Sequence, residues 1–282
     1  KNEGTINITL IENPTIKYFD IELELDTGLT SWLKGEKLLI SNEIIEEELA
    51  KNKLQIGAPF TKRKLDDFLL ILESKYSGLG FYNFLITPNI VVDSQNRAGI
   101  NLIVNQGDRA KIESFQISGA ENLSEQNLLK LFKIGEADMA IVNYFTNKDL
   151  FSEAEFSKGI DLMANSYFNL GYLDFEILKV DTQLDNKKEK ISIHIQISEG
   201  IQYQLGKVSF KGELGNIETI ELNNAISMKE GDIFNRDNII LNIQSLTDLF
   251  ADKGYAFVDI NPVTSEFLNM VNIDFDVSLN KK

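Results

Sequence analysis

The sequence predicts an α+β protein of tandem β-α-α-β-β units, each a three-stranded mixed sheet with two helices on one face, arranged as an elongated array. Three observations predict it. An aromatic residue, three intervening residues, glycine and a second aromatic occur as Tyr76/Gly80/Phe81, Tyr167/Gly171/Tyr172 and Phe250/Gly254/Tyr255. Sixteen residues before each first aromatic stands Phe60, Phe151 or Phe234, followed by Thr61, Ser152 or Asn235, all good helix N-caps. Apolar triplets spaced by three and then two residues recur as Ile16/Phe19/Ile21, Ile112/Phe115/Ile117 and Leu205/Val208/Phe210. A register shared by three copies is the mark of a repeat.

Each triplet reads as a first strand. A shorter helical segment follows, beginning near Ser41, Ser124 and Asn216. Next comes a helix of about 17 residues, patterned in the first copy by Leu65, Phe68, Leu69, Leu72 and Tyr76 at spacings of three and four. Gly80, Gly171 and Gly254 are the structural junctions: glycine takes the left-handed turn that closes a helix, and alternation then resumes, as in Phe175 and Ile177 against Asp174 and Glu176. Each unit closes on a second alternating run: Ile100/Leu102/Val104, then Ile191/Ile193/Ile195/Ile197, then Val271/Ile273/Phe275/Val277.

Residues 5 to 11 alternate in the same way and read as the end of an earlier unit. The expected domains are therefore 1–13 (last strand of a truncated preceding unit), 14–105, 106–199 and 200–282. The first full unit carries an insertion from Thr27 to Ile40 that includes the single tryptophan, Trp32, and the second has about 13 additional residues between Gly135 and Phe151.

Composition narrows the function. The 282 residues exceed one ordinary core, and 43% hydrophobic with 25% charged residues is a globular balance. A net charge of -15 argues against a nucleic-acid partner, because the densest basic cluster, Lys62-Arg63-Lys64, is answered at once by Asp66 and Asp67. There is no cysteine, which excludes thiolate catalysis, disulfides and cysteine-based zinc sites. No apolar run approaches the ~18 residues of a membrane helix. Lys1 does not open a signal peptide, and the chain reads as a fragment of a longer protein.

Catalytic motifs are missing. The single histidine, His194, shares a strand face with Ser192 and Gln196 and is expected to be solvated or hydrogen-bonded. Runs such as Glu46-Glu47-Glu48 point in different directions on a helix and read as charged surface. Neither a Walker loop nor a dinucleotide or nucleophile-elbow motif occurs. The expectation is a protein that is not an enzyme, with no cofactor, no metal and no small-molecule substrate.

A three-stranded sheet has two edges, and edges recruit foreign strands. Counted from the junction glycine, positions +4, +6 and +8 are Phe84, Ile86 and Pro88 in the first unit and Val258, Ile260 and Pro262 in the third. Proline cannot donate to a ladder and is confined to edges, so both prolines predict a blunted edge. The middle unit has Phe175, Ile177 and Lys179 there. This singles out Phe175, Glu176, Ile177, Leu178, Lys179, Val180 and Asp181 as the candidate docking edge, with Lys179 alternatively a gatekeeper charge against aggregation.

On these residues, with Glu12 to Ile16 opening the first unit and Ser198-Glu199-Gly200 as a hinge, the chain resembles the POTRA domain family. The middle unit, with its extended segment between the helices, resembles a third domain of such an array, which would make its neighbours the second and fourth. The resemblance implies the periplasmic part of an outer-membrane β-barrel assembly protein. Its partners would be periplasmic lipoproteins, unfolded outer-membrane proteins and the protein's own C-terminal barrel. The arm of a two-partner secretion or translocation-assembly transporter is the alternative.

Overall fold

The computed structural model describes residues 12–24, 38–132 and 150–279. The alternating segment 5–11, Trp32 with most of its insertion, and the additional residues of the second unit lie outside the described residues. The first repeat comprises β1 (Thr15–Leu23), α1 (Asn42–Lys51), α2 (Lys62–Gly78), β2 (Leu85–Val92) and β3 (Arg97–Asn105). In the second are β4 (Lys111–Ser118), α3 (Glu125–Leu129), α4 (Glu153–Asn169), β5 (Glu176–Leu184) and β6 (Lys190–Ser198). The third has β7 (Gln204–Gly212), α5 (Thr219–Ala225), α6 (Arg236–Asp252), β8 (Val258–Phe267) and β9 (Met270–Leu279).

The strand orders are β1-β3-β2, β4-β6-β5 and β7-β9-β8. In the first and third sheets the last strand pairs parallel with the first and antiparallel with the second. The last strand is thus central and is the most regularly apolar: Ile100, Leu102, Ile193, Ile195, Ile273 and Phe275 are all buried. The chain groups into two compact units, one built on the first sheet and its helices with Leu184–Ile191, the other holding Glu155–Gln183 and Ser192 onward.

The three-then-two spacing of the first strands has a physical cause. β1 shifts register between Ile16 and Tyr18, and β7 between Leu205 and Val208. An extra residue at a β-bulge lets Ile16, opposite Ala98, and Phe19, opposite Ile100, both face the core. Strict alternation would have turned one of them outward.

The three long helices are 17 residues each. Thr61 Oγ1 accepts from the Lys64 N–H at 3.4 Å, and Asn235 Oδ1 accepts from the Asn238 N–H at 3.0 Å. Thr61→Ala is expected to cost about 1 kcal/mol, read as an earlier midpoint in urea unfolding. At the other end the N–H groups of Phe81, Tyr172 and Tyr255 donate to the carbonyls of Tyr76, Tyr167 and Phe250 at 2.9, 3.0 and 3.0 Å. This closure needs a left-handed residue, and Gly80, Gly171 and Gly254 supply it with φ of +89°, +84° and +92°. The short helix of the third repeat begins near Asn216 as expected, with Glu218 two residues on as its N-cap. Tyr255 Oη takes the Asn216 N–H at 3.0 Å and Ile217 turns into the core, so the chain is already committed before the helix begins.

Eight residues beyond each helix-start phenylalanine the repeats diverge to Phe68, Gly159 and Asn242. Phe68 packs edge-on to Phe19, with ring centroids 5.7 Å apart. At Gly159 the ring of Phe132 occupies the space a Cβ would need. Asn242, 1% exposed, accepts from the Ser227 N–H at 2.6 Å and donates to the Asn238 carbonyl at 2.5 Å, so its polar groups are satisfied.

Candidate functional site

The candidate edge falls on β5, which is an outer strand of its sheet. Phe175 is the exception. It precedes the strand and is buried, its ring stacked on Tyr167 at 4.3 Å and 10°, so it belongs to the core and not to the docking edge. The reason is the closing turn after Gly171: the Phe175 N–H donates to the Tyr172 carbonyl, which delays the start of the strand. From Glu176 the alternation holds, with Ile177 half-buried and Leu178 and Val180 exposed by 53% and 41%.

Lys179 and Asp181 share the other face and form an ion pair at 2.8 Å. With the side chains 63% and 40% exposed, that pair contributes little stability. β5 contains no proline, so each of its residues keeps a backbone N–H. Pro88 and Pro262 lie on β2 and β8, both outer strands. The Asp93 N–H donates to the Arg97 carbonyl at 2.9 Å, which fixes the inward-pointing N–H groups of β2 at odd positions. The N–H that Pro88 lacks would therefore have pointed away from β3, toward any incoming strand.

Beside β5 lies a buried polar hub, centred on Glu199 of the Ser198-Glu199-Gly200 segment that the sequence presents only as a hinge. Glu199, 6% exposed, accepts from the Glu121 N–H at 2.9 Å, the Asn122 N–H at 3.1 Å, Asn122 Nδ2 at 2.5 Å and Tyr167 Oη at 2.8 Å. Burial acts to raise its carboxyl pKa, but the bonds from Asn122, Tyr167 and the two backbone N–H groups outweigh it and hold the group below its ordinary value. Burial also pushes the Tyr167 hydroxyl up, aided by its bond to Glu199. The end of β6 is thereby tied to α4 and to the loop after β4.

A signal for this hub exists in the repeat. The first copy places Gln106 after its last strand, and Tyr76 Oη donates to Gln106 Oε1 at 2.8 Å. The third copy has Phe250 in place of the tyrosine and Leu279 in place of the glutamate, both packed in one apolar cluster. Hydroxyl and acceptor come and go together.

His194 Nε2 and Ser118 Oγ are 2.8 Å apart on the exposed sheet face, the hydrogen-bonded setting expected for it. The junction glycines carry more than a turn. The Ala110 N–H donates to the Gly80 carbonyl at 2.8 Å, and the Phe151 N–H to the Ala110 carbonyl at 3.0 Å. The same two bonds link Tyr203 to Gly171 at 2.8 Å and Phe234 to Tyr203 at 3.0 Å. A Cβ at Gly80 would stand inside 3.0 Å of the Phe151 carbonyl oxygen, and one at Gly171 2.7 Å from that of Tyr203.

Three sheets of one strand order, each accompanied by a long helix that ends on glycine, define a repeated unit, and the chain belongs to the POTRA family: the model described as surface antigen variable number repeat matches residues 33–107, 110–200 and 203–278. Among its relatives is the outer membrane protein assembly factor BamA of Neisseria meningitidis serogroup B, 28% identical over 259 residues that cover 92% of this chain and 31% of that protein. The BamA of Nitratidesulfovibrio vulgaris is 26% identical, over 94% of this chain and 35% of that one. The chain spans about a third of the length of these curated relatives. Among solved structures, POTRA3-5 of Haemophilus influenzae BamA aligns with a TM-score of 0.47 at 13% identity, covering 93% of this chain and 96% of that one.

Proposed function

We propose that this chain is the periplasmic part of an outer-membrane β-barrel assembly protein. It is a non-catalytic scaffold that holds partner lipoproteins and unfolded outer-membrane proteins, partly by strand addition, upstream of a C-terminal barrel. Residues 14–105, 106–199 and 200–282 serve in it as the second, third and fourth domains. The relatives named as outer membrane protein assembly factors support the role. The observation that carries the binding mode is the contrast among three outer strands of one type: β2 and β8 contain Pro88 and Pro262, while β5 has Lys179 and an unbroken backbone. A strand added there pairs through main-chain hydrogen bonds and meets Leu178 and Val180 on the open face.

Capture of alternating apolar strand peptides from outer-membrane proteins by the immobilised chain tests this. Lys179→Pro is expected to reduce capture about tenfold, since it removes a backbone donor and distorts the edge. The fold should tolerate it, because the sibling strands already carry proline. Equal capture by the variant and the parent would sink strand addition at β5.

A further inference from the structure

The hairpins that join the last two strands of each repeat are built alike in two repeats and differently in the third. In the first, Asp93 Oδ1 accepts the N–H groups of Gln95 and Arg97, both at 3.0 Å. In the second, Asp185 Oδ1 accepts those of Glu189 and Lys190 at 2.8 and 2.9 Å. The third has Phe267 where the first has Asp93, thirteen residues past the junction glycine, and turns on Leu268 and Asn269 alone, with Phe267 paired to Met270.

That turn is built against its own stability. Leu268 holds φ at +57°, the left-handed conformation that Asn96 and Lys188 take at +56° in the sibling turns. Asparagine and glycine suit this backbone, and a bulky aliphatic residue there is a genuine outlier. The side chain gains no packing in return: Leu268 is 79% exposed, the most of any large apolar residue among those described, and Phe267 is 71% exposed. Strain joined to exposed apolar surface is the mark of a contact site.

We propose that the tip of the β8–β9 hairpin, Phe267 with Leu268, enters the surface of a zwitterionic lipid layer. Size argues against a protein partner, since two side chains on one tight turn fall far short of the ~800 Å² that each side of a stable protein interface buries. Inserting two large apolar side chains suffices, by contrast, for a weak and reversible hold on lipid. Charge agrees. No residue from Phe267 to Ile273 is charged, and Glu266 lies on the other face of β8, where it lines a groove with Thr264 and Ile239. The sibling turns, with Asp93 and Arg97 or with Asp185, Lys187 and Lys188, would have to carry ions into hydrocarbon. The chain's net charge of -15 opposes an anionic surface, which leaves neutral headgroups. From the proposed function this takes only the place beside a membrane, where a tethered arm meets lipid at high local concentration.

The chain has no cysteine, so an environment-sensitive fluorophore on Asn269→Cys reports this tip alone, and one on Gln95→Cys reports the sibling turn. With phosphatidylcholine vesicles, the label at the tip is expected to shift to the blue and to be quenched by bromine on the lipid chains. The label on the sibling turn is expected to do neither. Phe267→Ser with Leu268→Asn should weaken partition of the tip-labelled chain about tenfold. Peptide capture at β5 should stay as in the parent, which keeps this result separate from strand addition. Leu268→Asn alone should unfold at the same temperature or higher, since asparagine accepts the left-handed backbone. A tip label that stays in water, a double variant that partitions like the parent, or binding that needs anionic lipid overturns the proposal. So does a lower melting temperature for Leu268→Asn, which would make the leucine part of the fold. Self-association of the parent that the double variant loses would assign the tip to a protein contact and overturn it as well.

Discussion

Glu199→Ala is expected to destabilise the middle repeat by about 2–3 kcal/mol, read as a lower urea midpoint and faster amide exchange in α4 and β6. The size follows from what is left behind. The Tyr167 hydroxyl loses its acceptor inside the core, where an unsatisfied buried donor costs about 1–3 kcal/mol, while the donors of Asn122 and Glu121, which belong to exposed residues, can turn to water. Glu199→Gln is expected to cost less, because Gln106 fills the corresponding place beside Tyr76 in the first repeat. The two variants separate in pH. The folded state holds the Glu199 carboxyl below its ordinary value of 4.5, so the network adds stability above that pH and loses it as pH falls through the folded-state pKa. Acid unfolding of the Gln variant should therefore have a shallower slope than the parent's below pH 4.5. A Gln variant with the parent's slope would show that the acid sensitivity lies elsewhere.

What the sequence shows directly is what side-chain pattern encodes. The helix ends are legible because Gly80, Gly171 and Gly254 must take a backbone conformation that other residues resist. The bulged first strands are legible because the apolar spacing lengthens from two to three where the register shifts, at Ile16 and at Leu205. The outer strands are legible through Pro88 and Pro262. Contacts made by backbone atoms leave no such trace: Ala110 and Tyr203 have little in common as side chains, yet their N–H and carbonyl groups do the same work. Phe175 misleads for a related reason. Its place in an alternating run suits a strand, but the closing turn after Gly171 spends one more residue, and the ring stacks on Tyr167 in the core. Glu199 reads as a polar hinge residue beside Gly200 until Tyr167, 32 positions earlier, is known to point at it.

Gly159→Ala is expected to reverse the usual helix rule. In an unconstrained helix interior, replacing glycine by alanine stabilises by about 1 kcal/mol, since alanine has the best propensity and glycine nearly the worst. Here the helix backbone is floored by Phe132, which is fully buried and packs against Phe115 at 4.7 Å and Phe156 at 5.7 Å. A Cβ at Gly159 would stand inside 3.0 Å of three atoms of the Phe132 ring, and a rigid ring held by two others cannot retreat as a flexible chain end can. Overpacking of this kind costs about 1–3 kcal/mol, enough to cancel the propensity gain and leave a net loss of about 1–2 kcal/mol in thermal or urea unfolding. The partner residue makes the cause testable. Phe132→Leu alone should destabilise by leaving a cavity, but in the double variant Gly159→Ala should turn from costly to favourable, with a coupling of about 1–2 kcal/mol. Additive effects would mean that the glycine serves the helix in some other way. A stabilised single variant would mean that the ring yields, and that this repeat's core is looser than the siblings built on Phe68 and Asn242.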